Sequence, residues 1–353
     1  MTGTTRPVPV RYARWDGVDL PFTLISTATP GTPGAGEVLV RVDLATVCGS
    51  DLHTVTGRRS SPAPSVLGHE QVGTVVAVGR GGVRCVDDAP VVPGMRVVWS
   101  VTASCGDCDR CARGLTQKCR RLRKYGHEPL AEDAPLTGGF ATHCVLLPGT
   151  AVVAVPDDLP DAVAAPASCA TATVAAVVAA AGPLDGRRVL VTGAGMLGVT
   201  AVAMAAHAGA HVIAVDPDPT RREQALRFGA AEVADTAPLD VDVALELSGK
   251  PSAVDACLRA ITVGGTAVLA GSVSPGEPVP LDPERVVRGL HSIVGVHNYR
   301  PADLLTAIAF LTAHHRTRPF ADLVAGAFGL DEVEAAFAAA RTAGAMRQAV
   351  VPR

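Results

Sequence analysis

The spacing of apolar residues divides the chain into two regions. Roughly the first 150 positions contain short β-branched runs separated by glycine or proline: GEVLVRVDLATV, GTVVAVG, MRVVWSV and FATHCVLLP. Such runs, bounded by turn residues, are typical of short strands. We therefore predict an irregular, mostly antiparallel β domain in this region.

The pattern changes from about Ala162 onwards. The segment RRVLVTGAGMLGVTAVAMAAHAGAHVIAVD has the order strand, glycine-rich turn, alanine-rich helix and strand. VDVALELSG and GGTAVLAGS predict further buried strands, separated by helical segments such as PSAVDACLRAI. Strands that alternate with helices form parallel sheets. We predict an α/β domain here, followed by two amphipathic helices, PADLLTAIAFLTAHH and LDEVEAAFAAARTAG.

One stretch, APASCATATVAAVVAAAG, is almost wholly small and apolar, and no charge interrupts the chain from Ala162 to Leu184. Its length alone would suffice for a membrane span. Alanine contributes little to insertion, however, and no block of Leu, Ile or Phe flanked by Lys or Arg is present. We predict a buried or half-buried helix, entered through Ala-Pro-Ala, that carries one cysteine, Cys169.

Composition narrows the class of protein. A chain of 353 residues with 48% hydrophobic and 18% charged residues suits two folded domains and excludes a disordered protein. A net charge of −3, with 7 Phe, 2 Trp and 3 Tyr, argues against a nucleic-acid partner. The opening residues MTGTTRPVPVRYARWDGV lack the apolar core of a signal peptide. We therefore expect a cytoplasmic location without a membrane partner, and nine cysteines that are metal ligands or core thiols rather than disulfides.

A glycine-rich motif indicates a dinucleotide site. The strand predicted at Val189–Val191 runs into a predicted helix through a GxGxxG motif, whose positions are Gly193, Ala194, Gly195, Met196, Leu197 and Gly198. In that context the motif is specific, whereas alone it would be weak. The first glycine permits the tight turn, the second lets the backbone approach the pyrophosphate, and the third allows close packing of helix on strand. The helix N-terminus attracts the phosphates.

An acidic residue, Asp216, ends the next predicted strand 18 residues past Gly198. A carboxylate at this place hydrogen-bonds the adenosine ribose hydroxyls and repels a 2′-phosphate, which favours NAD over NADP. Arg221 and Arg222 lie a few residues further on. They leave NADP binding open, because an arginine can accept that phosphate.

Four cysteines follow the spacing Cys105-x2-Cys108-x2-Cys111-x7-Cys119. Four thiolates on one short lobe suit a closed tetrahedral zinc site, which has no open position and is therefore structural. Disulfides fit poorly with a reducing compartment. The x7 gap also differs from the usual ferredoxin spacings, so an iron–sulfur cluster is the weaker alternative.

Two other segments, TVCGSDLH and LGHEQVG, carry groups suited to metal binding and proton transfer: Cys48, Ser50, Asp51, His53, His69 and Glu70. A single Cys or His is usually a core residue, so neither segment is informative alone. With the four-cysteine lobe and the nucleotide motif, they resemble the zinc-dependent medium-chain alcohol dehydrogenase family. The matching elements occur in family order over nearly the whole chain: CGSDLH, GHEQVGTVVAVG, CGDCDRCARGLTQKC, GGFATH, and VLVTGAGMLG with Asp216.

The resemblance implies an α/β fold with two domains. Residues 1–165 would form a GroES-like, mostly-β catalytic domain, with the structural-zinc lobe at about 100–120. Residues 166–298 would form a doubly wound Rossmann domain that binds NAD, and residues 299–353 would return to the catalytic domain. The active site would lie in the cleft between them. The family also implies a homodimer or homotetramer that pairs through the edge of the Rossmann sheet.

A second zinc, with a catalytic role, is implied as well. A catalytic zinc needs three protein ligands and one open position. The match to the family makes Cys48 and His69 two of these ligands. The third is expected from the segment that joins the domains, where Cys169 lies 100 residues after His69 and 24 before Gly193. The alternative for Cys169 is an inert buried thiol. Cys85, Cys144 and Cys257 carry no ligand spacing, and we interpret them as core or surface thiols.

The other polar residues of the two segments take supporting roles in the family. Asp51 resembles the carboxylate that orients the zinc-bound histidine. Glu70 resembles the carboxylate that approaches the metal when its ligands exchange. Ser50 would contact the substrate hydroxyl, and His53 would relay its proton toward solvent.

The implied reaction is reversible hydride transfer between a small-molecule alcohol or carbonyl substrate and NAD, with zinc as the Lewis acid. Further cofactor contacts are expected in the Rossmann domain: Arg221, Ser248, Gly271, Val273 and Val296. Gly49 stands where animal-type alcohol dehydrogenases place an arginine against the cofactor pyrophosphate. The pattern is therefore closer to bacterial threonine and polyol dehydrogenases.

The substrate rests on fewer observations. The stretches CRRLRKYGHEP, GVHNYRP and PASCATATVAAV resemble a bacterial alcohol dehydrogenase subgroup associated with phosphonate breakdown. Arg and Lys side chains in a cleft would suit an anionic substrate. We take Lys124, His127 and Arg300 as candidate contacts to an anionic secondary alcohol such as a hydroxyalkylphosphonate. The alternative is that the basic run from Arg120 to Lys124 is a solvated surface.

Three other functions are compatible with the sequence. A polyol or threonine-type dehydrogenase would act on a neutral or amino-acid alcohol. A zinc-free quinone or enoyl reductase of the same superfamily would usually lack both the Cys48/His69 pair and the four-cysteine lobe. A catalytically silent nucleotide-binding regulator belongs to another class, and the intact pair of Ser50 and His53 argues against it.

Overall fold

The computed structural model describes residues 7–29, 31–131, 136–342 and 344–353. The chain divides into two compact units. Unit 1 consists of Met1–Cys169, Arg300–His315 and Phe320–Arg353. Unit 2 consists of Ala170–Tyr299 and Arg316–Pro319.

These limits differ slightly from the boundary that the sequence predicts at residue 166. Cys169 is grouped with unit 1, because the turn before it is tied to that unit: the hydroxyl of Ser168 accepts a hydrogen bond from the backbone N–H of Gln71 at 3.2 Å. The segment Arg316–Pro319 joins unit 2, where the Arg318 guanidinium lies 3.4 Å from the carbonyl oxygen of Arg227.

The N-terminal part of unit 1 forms short strands connected by turns, with little helix. Its strands are β1 Val8–Trp15, β2 Thr23–Thr29, β3 Val38–Val47, β4 Ser65–Val66, β5 Gln71–Val78, β6 Arg96–Ala103, β7 Arg123–Lys124, β8 His143–Leu146 and β9 Thr150–Ala154. Its α-helices are α1 Gly49–Val55, α2 Asp109–Ala112 and α3 Asp161–Ala164. The β-branched runs of the sequence form β3, β5, β6 and β8, so the predicted mostly-β domain is confirmed.

Unit 2 alternates strands with helices. Its helices are α4 Ala170–Ala181, α5 Met196–His207, α6 Pro219–Arg227, α7 Pro251–Ala260 and α8 Pro283–Gly289. Its strands are β10 Arg188–Thr192, β11 His211–Val215, β12 Glu232–Ala234, β13 Val241–Glu246, β14 Ile261–Leu269 and β15 Ser292–Gly295. All six are parallel, in the order β12-β11-β10-β13-β14-β15. This is the doubly wound arrangement that the sequence predicts, with the order reversing beside β10, the strand that leads into the glycine-rich motif.

The C-terminal part of the chain returns to unit 1. It contains α9 Pro301–His314, β16 Val324–Phe328, α10 Val333–Thr342 and β17 Arg347–Val350. β17 joins the main sheet of unit 1, whose path is β16-β17-β3-β5-β6-β7, with β8 also paired to β3 and β9 to β6. Buried aromatic side chains fill the core beneath this sheet: Trp99, Tyr125, Phe140 and Phe337.

The pairing of β17 with β3 positions the active site. The two strands are antiparallel, with Gln348 opposite Val47. The residue before Gln348 therefore lies beside Cys48, the residue that follows Val47. Because 299 residues separate Cys48 from Arg347, only the folded chain brings them together.

Among the described residues, no single helix is long and apolar enough to cross a bilayer. The uncharged stretch around Cys169 meets the length and composition criterion only as two helical pieces, Asp161–Ser168 and Ala170–Ala181, which are bent by 57°.

Candidate active site

Three residues that are distant in sequence bring their ligand atoms together in unit 1. The thiols of Cys48 and Cys169 and a ring nitrogen of His69 all lie within 4.8 Å of one another. Cys48 comes directly after β3, His69 precedes β5, and Cys169 ends the 3-10 turn before α4. Two thiolates and one imidazole are a donor set that zinc prefers, and three protein ligands leave a fourth position for substrate.

The orientation of His69 is set by α1. Nδ1 of its ring lies 3.3 Å from Oδ1 of Asp51, and Nε2 lies 3.0 Å from Oγ of Ser50. Oδ2 of Asp51 accepts the backbone N–H of Cys48 at 2.9 Å, which caps the helix and fixes this fully buried carboxylate. Burial lowers the pKa of His69, but the Asp51 carboxylate and the Cys48 thiolate outweigh it and raise the pKa to about 10. This orientation would let His69 bind a metal through Nε2 while Asp51 holds the other ring nitrogen.

The two cysteine thiols affect each other's ionisation. A hydrogen bond from the Cys169 thiol holds the pKa of Cys48 well below its usual range, against the effect of burial. The same contact, with burial, raises the pKa of Cys169. A divalent cation would stabilise this buried pair of thiols next to an imidazole, because both sulfurs could bind it as thiolates. The residues present therefore fit a catalytic zinc.

A buried ion pair supports this cluster from behind. The Arg347 guanidinium makes a two-point contact with the Glu70 carboxylate, Nε to Oε2 at 2.6 Å and Nη2 to Oε1 at 2.9 Å. Nη2 of Arg347 also lies 3.5 Å from the Cys48 thiol, and Oγ1 of Thr46 donates to Oε2 of Glu70 at 2.7 Å. Burial raises the pKa of Glu70 to about 7, opposed by the charge of Arg347. The guanidinium thus neutralises Glu70 and places positive charge beside the Cys48 thiolate.

The sequence did not reveal Arg347 as part of this site. The sequence contains one indication of its role, a lone arginine in the final apolar segment MRQAVV. An arginine that is buried in such a segment almost always has a charged partner. Its side chain is 7% exposed, and that of Glu70 is fully buried.

The four cysteine sulfurs of the second predicted metal site also lie close together. In the lobe that carries α2, the sulfur of Cys105 lies 3.3 Å from Cys119 and 4.0 Å from Cys111, and Cys108 lies 3.5 Å from Cys111 and 3.9 Å from Cys119. Four sulfurs at about 2.3 Å from a tetrahedral zinc would be about 3.8 Å apart. Backbone N–H groups, first that of Arg120, lower the pKa of Cys108 to about 6 and favour its thiolate. This is a structural zinc site.

In unit 2, the glycine-rich turn has the geometry that a pyrophosphate requires. Gly193 has φ +86°, a left-handed conformation that favours glycine. A Cβ on Gly198 would lie 1.7 Å from the carbonyl oxygen of Gly193, so only glycine allows α5 to begin this close to β10. A Cβ on Gly195, by contrast, would meet nothing within 4 Å, and open space remains above the N-terminus of α5. Met196 and Leu197 form the first turn of that helix.

Asp216 follows β11 and is held beside this turn. Its Oδ2 accepts the N–H of Ala194 at 2.8 Å, and its side chain is 5% exposed. Arg221 lies 3.9 Å from the same carboxylate, and Arg222 donates to the carbonyl oxygen of Asp216 at 2.8 Å. The acid is fixed at the expected place, while Arg222 is engaged by the backbone.

The other predicted cofactor residues lie on the loops after the later strands of the same sheet. Ser248 packs against the glycine-rich turn, since a Cβ added to Gly193 would lie 2.7 Å from the Cβ of Ser248. Gly271 and the exposed Val273 follow β14, and Val296 follows β15. These loops all leave the carboxyl ends of parallel strands, the edge where such sheets bind nucleotides.

The basic run after the lobe separates into paired and unpaired side chains. Arg121 pairs with Asp107, Arg120 with Asp109, and Arg123 with Glu128. These three arginines are exposed and form the solvated surface that the alternative interpretation anticipated. Lys124 is half-buried on β7 and makes no such pair among the described residues.

The remaining predicted substrate residues differ in position. His127 lies against the metal site, with its ring centroid 5.5 Å from that of His69. Arg300 is exposed at the start of α9, and its Nε lies 3.5 Å from Oδ2 of Asp303. His53, the predicted proton relay, is half-buried on α1, three residues past Ser50.

Two family models match the chain. The alcohol dehydrogenase GroES-like domain matches residues 34–157, and the zinc-binding dehydrogenase domain matches residues 197–313. The L-threonine 3-dehydrogenase of Anaeromyxobacter dehalogenans (strain 2CP-C) is 34% identical over 275 residues, which cover 72% of this chain and 74% of that protein.

Solved structures show the same fold. An alcohol dehydrogenase from Thermotoga maritima superposes with a TM-score of 0.90 at 24% identity, covering 98% of this chain and 100% of that one. An alcohol dehydrogenase from E. coli CFT073, solved in complex with NADH, has a TM-score of 0.82 at 25% identity, covering 97% and 99%.

Proposed function

This chain belongs to the zinc-dependent medium-chain alcohol dehydrogenase family, and we propose that it oxidises a secondary alcohol with NAD as the hydride acceptor. The observation that carries the proposal is the convergence of Cys48, His69 and Cys169 within 4.8 Å in a chain that also has the dinucleotide turn. For the substrate, we propose an anionic alcohol of the hydroxyalkylphosphonate type, as the resemblance to the phosphonate-associated subgroup implies.

Each residue of the site has a distinct task in this reaction. Cys48, His69 and Cys169 hold the zinc, which when bound supplies a Lewis acid that favours loss of the alcohol proton. The Ser50 hydroxyl, 3.0 Å from Nε2 of His69, hydrogen-bonds the substrate hydroxyl. Ser50 accepts the proton of the substrate hydroxyl and at the same time passes the proton of its own hydroxyl toward His53. Asp51 keeps the imidazole in one orientation. NAD supplies the hydride acceptor.

We expect the purified protein to contain two zinc ions per chain and to form NADH with secondary alcohols. Metal analysis and absorbance at the NADH band measure both. Nucleotide binding without turnover of any alcohol would instead support the silent regulatory protein. One zinc or none per chain, together with reduction of enones, would support the hypothesis of a quinone or enoyl reductase.

Cofactor choice gives a second prediction. Asp216→Asn removes the charge that repels a 2′-phosphate while keeping one acceptor for the Ala194 N–H. We expect the ratio of kcat/KM for NAD to that for NADP to fall by about 10- to 100-fold, the value of one charged contact. Glu223→Gln, at an exposed acid on α6, is the matched control and should leave the ratio unchanged. A parent chain that prefers NADP, or a ratio unaffected by Asp216→Asn, contradicts the assignment.

A threonine-type dehydrogenase is the second candidate, because the relative described above acts, by its name, on L-threonine. Turnover of L-threonine in preference to amine-free alcohols would establish it, and a preference for neutral polyols would favour the polyol enzyme.

We also propose a homo-oligomer, dimer or tetramer, in a reducing cytoplasm. β15 is the edge strand of the unit 2 sheet, and apolar side chains near it are exposed: Val287 70%, Leu290 71% and Ile293 38%. Exposed apolar side chains on a sheet edge favour pairing with a second copy. The six cysteine ligands require a compartment that keeps thiols reduced. Sedimentation velocity measures the oligomer directly.

A further inference from the structure

Lys124 and Arg59, two half-buried cations of unit 1, have no carboxylate partner among the described residues. The carboxylate nearest to Lys124 in sequence is already used, since Glu128 pairs with Arg123 and accepts the backbone N–H of Lys124 at 2.7 Å. Half-buried cations without a counter-ion lose hydration and gain nothing in return, unless a ligand supplies the negative charge.

Both cations lie on segments that are tied to the metal site. The backbone N–H of His127, whose ring packs against that of His69, donates to the carbonyl oxygen of Lys124 at 3.1 Å. The backbone N–H of Arg59 donates to the carbonyl oxygen of His53 on α1, the helix that orients His69, at 3.0 Å. Burial, and then repulsion by Arg59, lowers the pKa of Lys124 to about 8, while the thiols of Cys169 and Cys48 act in the opposite direction. In the zinc-loaded protein, the two thiolates neutralise the dication, so they no longer compensate Lys124 and Arg59.

An unsatisfied polar atom lies in the same place. Nε2 of His127 is buried and makes no hydrogen bond within the part of the chain that the structure describes, while Nδ1 is 3.3 Å from the Ser61 hydroxyl. The ring packs against that of His69. An imidazole with a free buried nitrogen can hydrogen-bond a polar group of a ligand.

Three acids on the described segments that carry the metal ligands and His127 are already paired. Asp51 faces His69, Glu70 faces Arg347, and Glu128 faces Arg123. A substrate ammonium would therefore be repelled by two cations and find none of these three carboxylates free, whereas a carboxylate or phosphonate would be attracted by both cations.

We propose that Lys124 and Arg59, with His127 beside them, form the subsite that binds the anionic group of an alcohol substrate lacking an ammonium group. The inference rests on the proposed function and assigns its specificity. Arg300, with its exposed side chain next to Asp303, is not part of this subsite. By the same charge argument, L-threonine is a poor substrate of this chain.

The test uses the zinc-loaded enzyme and four alcohols that differ in charge: 3-hydroxybutyrate, 2-hydroxypropylphosphonate, L-threonine and neutral 2-butanol. We expect kcat/KM for at least one of the two anions to exceed that for 2-butanol and for L-threonine by about tenfold or more, the value of a charged hydrogen bond. Comparison of the two anions shows whether carboxylate or phosphonate is preferred.

Lys124→Gln and Arg59→Gln should each lower the ratio of kcat/KM for the preferred anion to that for 2-butanol by about 10- to 100-fold, mainly through KM. Arg58→Gln, which removes the exposed neighbouring arginine, is the matched control and should leave the ratio unchanged. Zinc content of each variant reports whether the fold is kept.

The outcomes separate the two levels of the proposal. If no alcohol is oxidised, the proposed function fails. If 2-butanol is oxidised but neither anion is preferred, if L-threonine is the best substrate, or if the ratio changes equally in Lys124→Gln and Arg58→Gln, the subsite is overturned while the dehydrogenase stands.

Discussion

Cys169→Ala is expected to leave one zinc per chain instead of two and to lower kcat by about 1,000-fold or more. The Lewis acid contributes several kcal/mol of transition-state stabilisation, and each 1.4 kcal/mol is about tenfold in rate. With Cys169 removed, only Cys48 and His69 remain to hold the ion, one ligand short of the usual three. The four sulfurs of the lobe are untouched, so the structural zinc should stay.

Metal analysis after dialysis and NADH formation under saturating alcohol measure the two effects. Cys85→Ala is the matched control, because Cys85 is buried in the same unit but belongs to neither metal cluster. It should keep two zincs and full turnover. Two zincs and wild-type activity in Cys169→Ala would refute Cys169 as a catalytic ligand.

Arg347→Met is expected to destabilise the folded protein by about 3–5 kcal/mol, because it leaves the Glu70 carboxylate buried without its counter-charge. Burial already raises the pKa of Glu70 to about 7 with the guanidinium in place. Without it, the carboxyl must take up a proton or remain ionised in a low-dielectric site, and either route lowers the free energy of unfolding. Urea unfolding of the zinc-loaded protein at neutral pH measures the loss.

A second substitution separates the buried charge from simple loss of packing. Arg347→Met combined with Glu70→Gln removes both charges and keeps an acceptor for Thr46, so we expect it to recover most of the lost stability. The exposed pair Glu284–Arg288, with side chains 75% and 79% exposed, provides the control. Arg288→Met should cost less than about 1 kcal/mol. Equal effects of Arg347→Met and Arg288→Met, or a double variant as unstable as the sum of the singles, would contradict the role of the buried pair.

Local patterns were sufficient for much of the fold. Short β-branched runs between glycines and prolines became β3, β5 and β6, because strands of this kind are bounded by local turn residues. The GxGxxG motif became the turn between β10 and α5, because the left-handed Gly193 and the close packing at Gly198 can be met by glycine alone. The Cys-x2-Cys-x2-Cys spacing was likewise sufficient to predict the structural zinc lobe, because its ligands are close in sequence.

Other features could not be obtained in this way. The sequence does not show which cations of the basic run from Arg120 to Lys124 are neutralised. In the structure, Arg120, Arg121 and Arg123 each pair with a nearby acidic side chain, whereas Lys124 has no such partner among the described residues. Arg59 had no signal at all, since nothing in the pair Arg58–Arg59 after α1 points to the metal ligands.

By itself, then, the sequence determined the residue types that bind metal and nucleotide, because their spacing is local and their chemistry demanding. The tertiary structure alone decided which charges those groups meet. The Glu70–Arg347 pair joins residues 277 apart, through an antiparallel pairing of β17 with β3 that no local pattern encodes. The subsite that we propose at Lys124 and Arg59 depends on the fold for the same reason, because the surroundings of a charge decide whether it is paired.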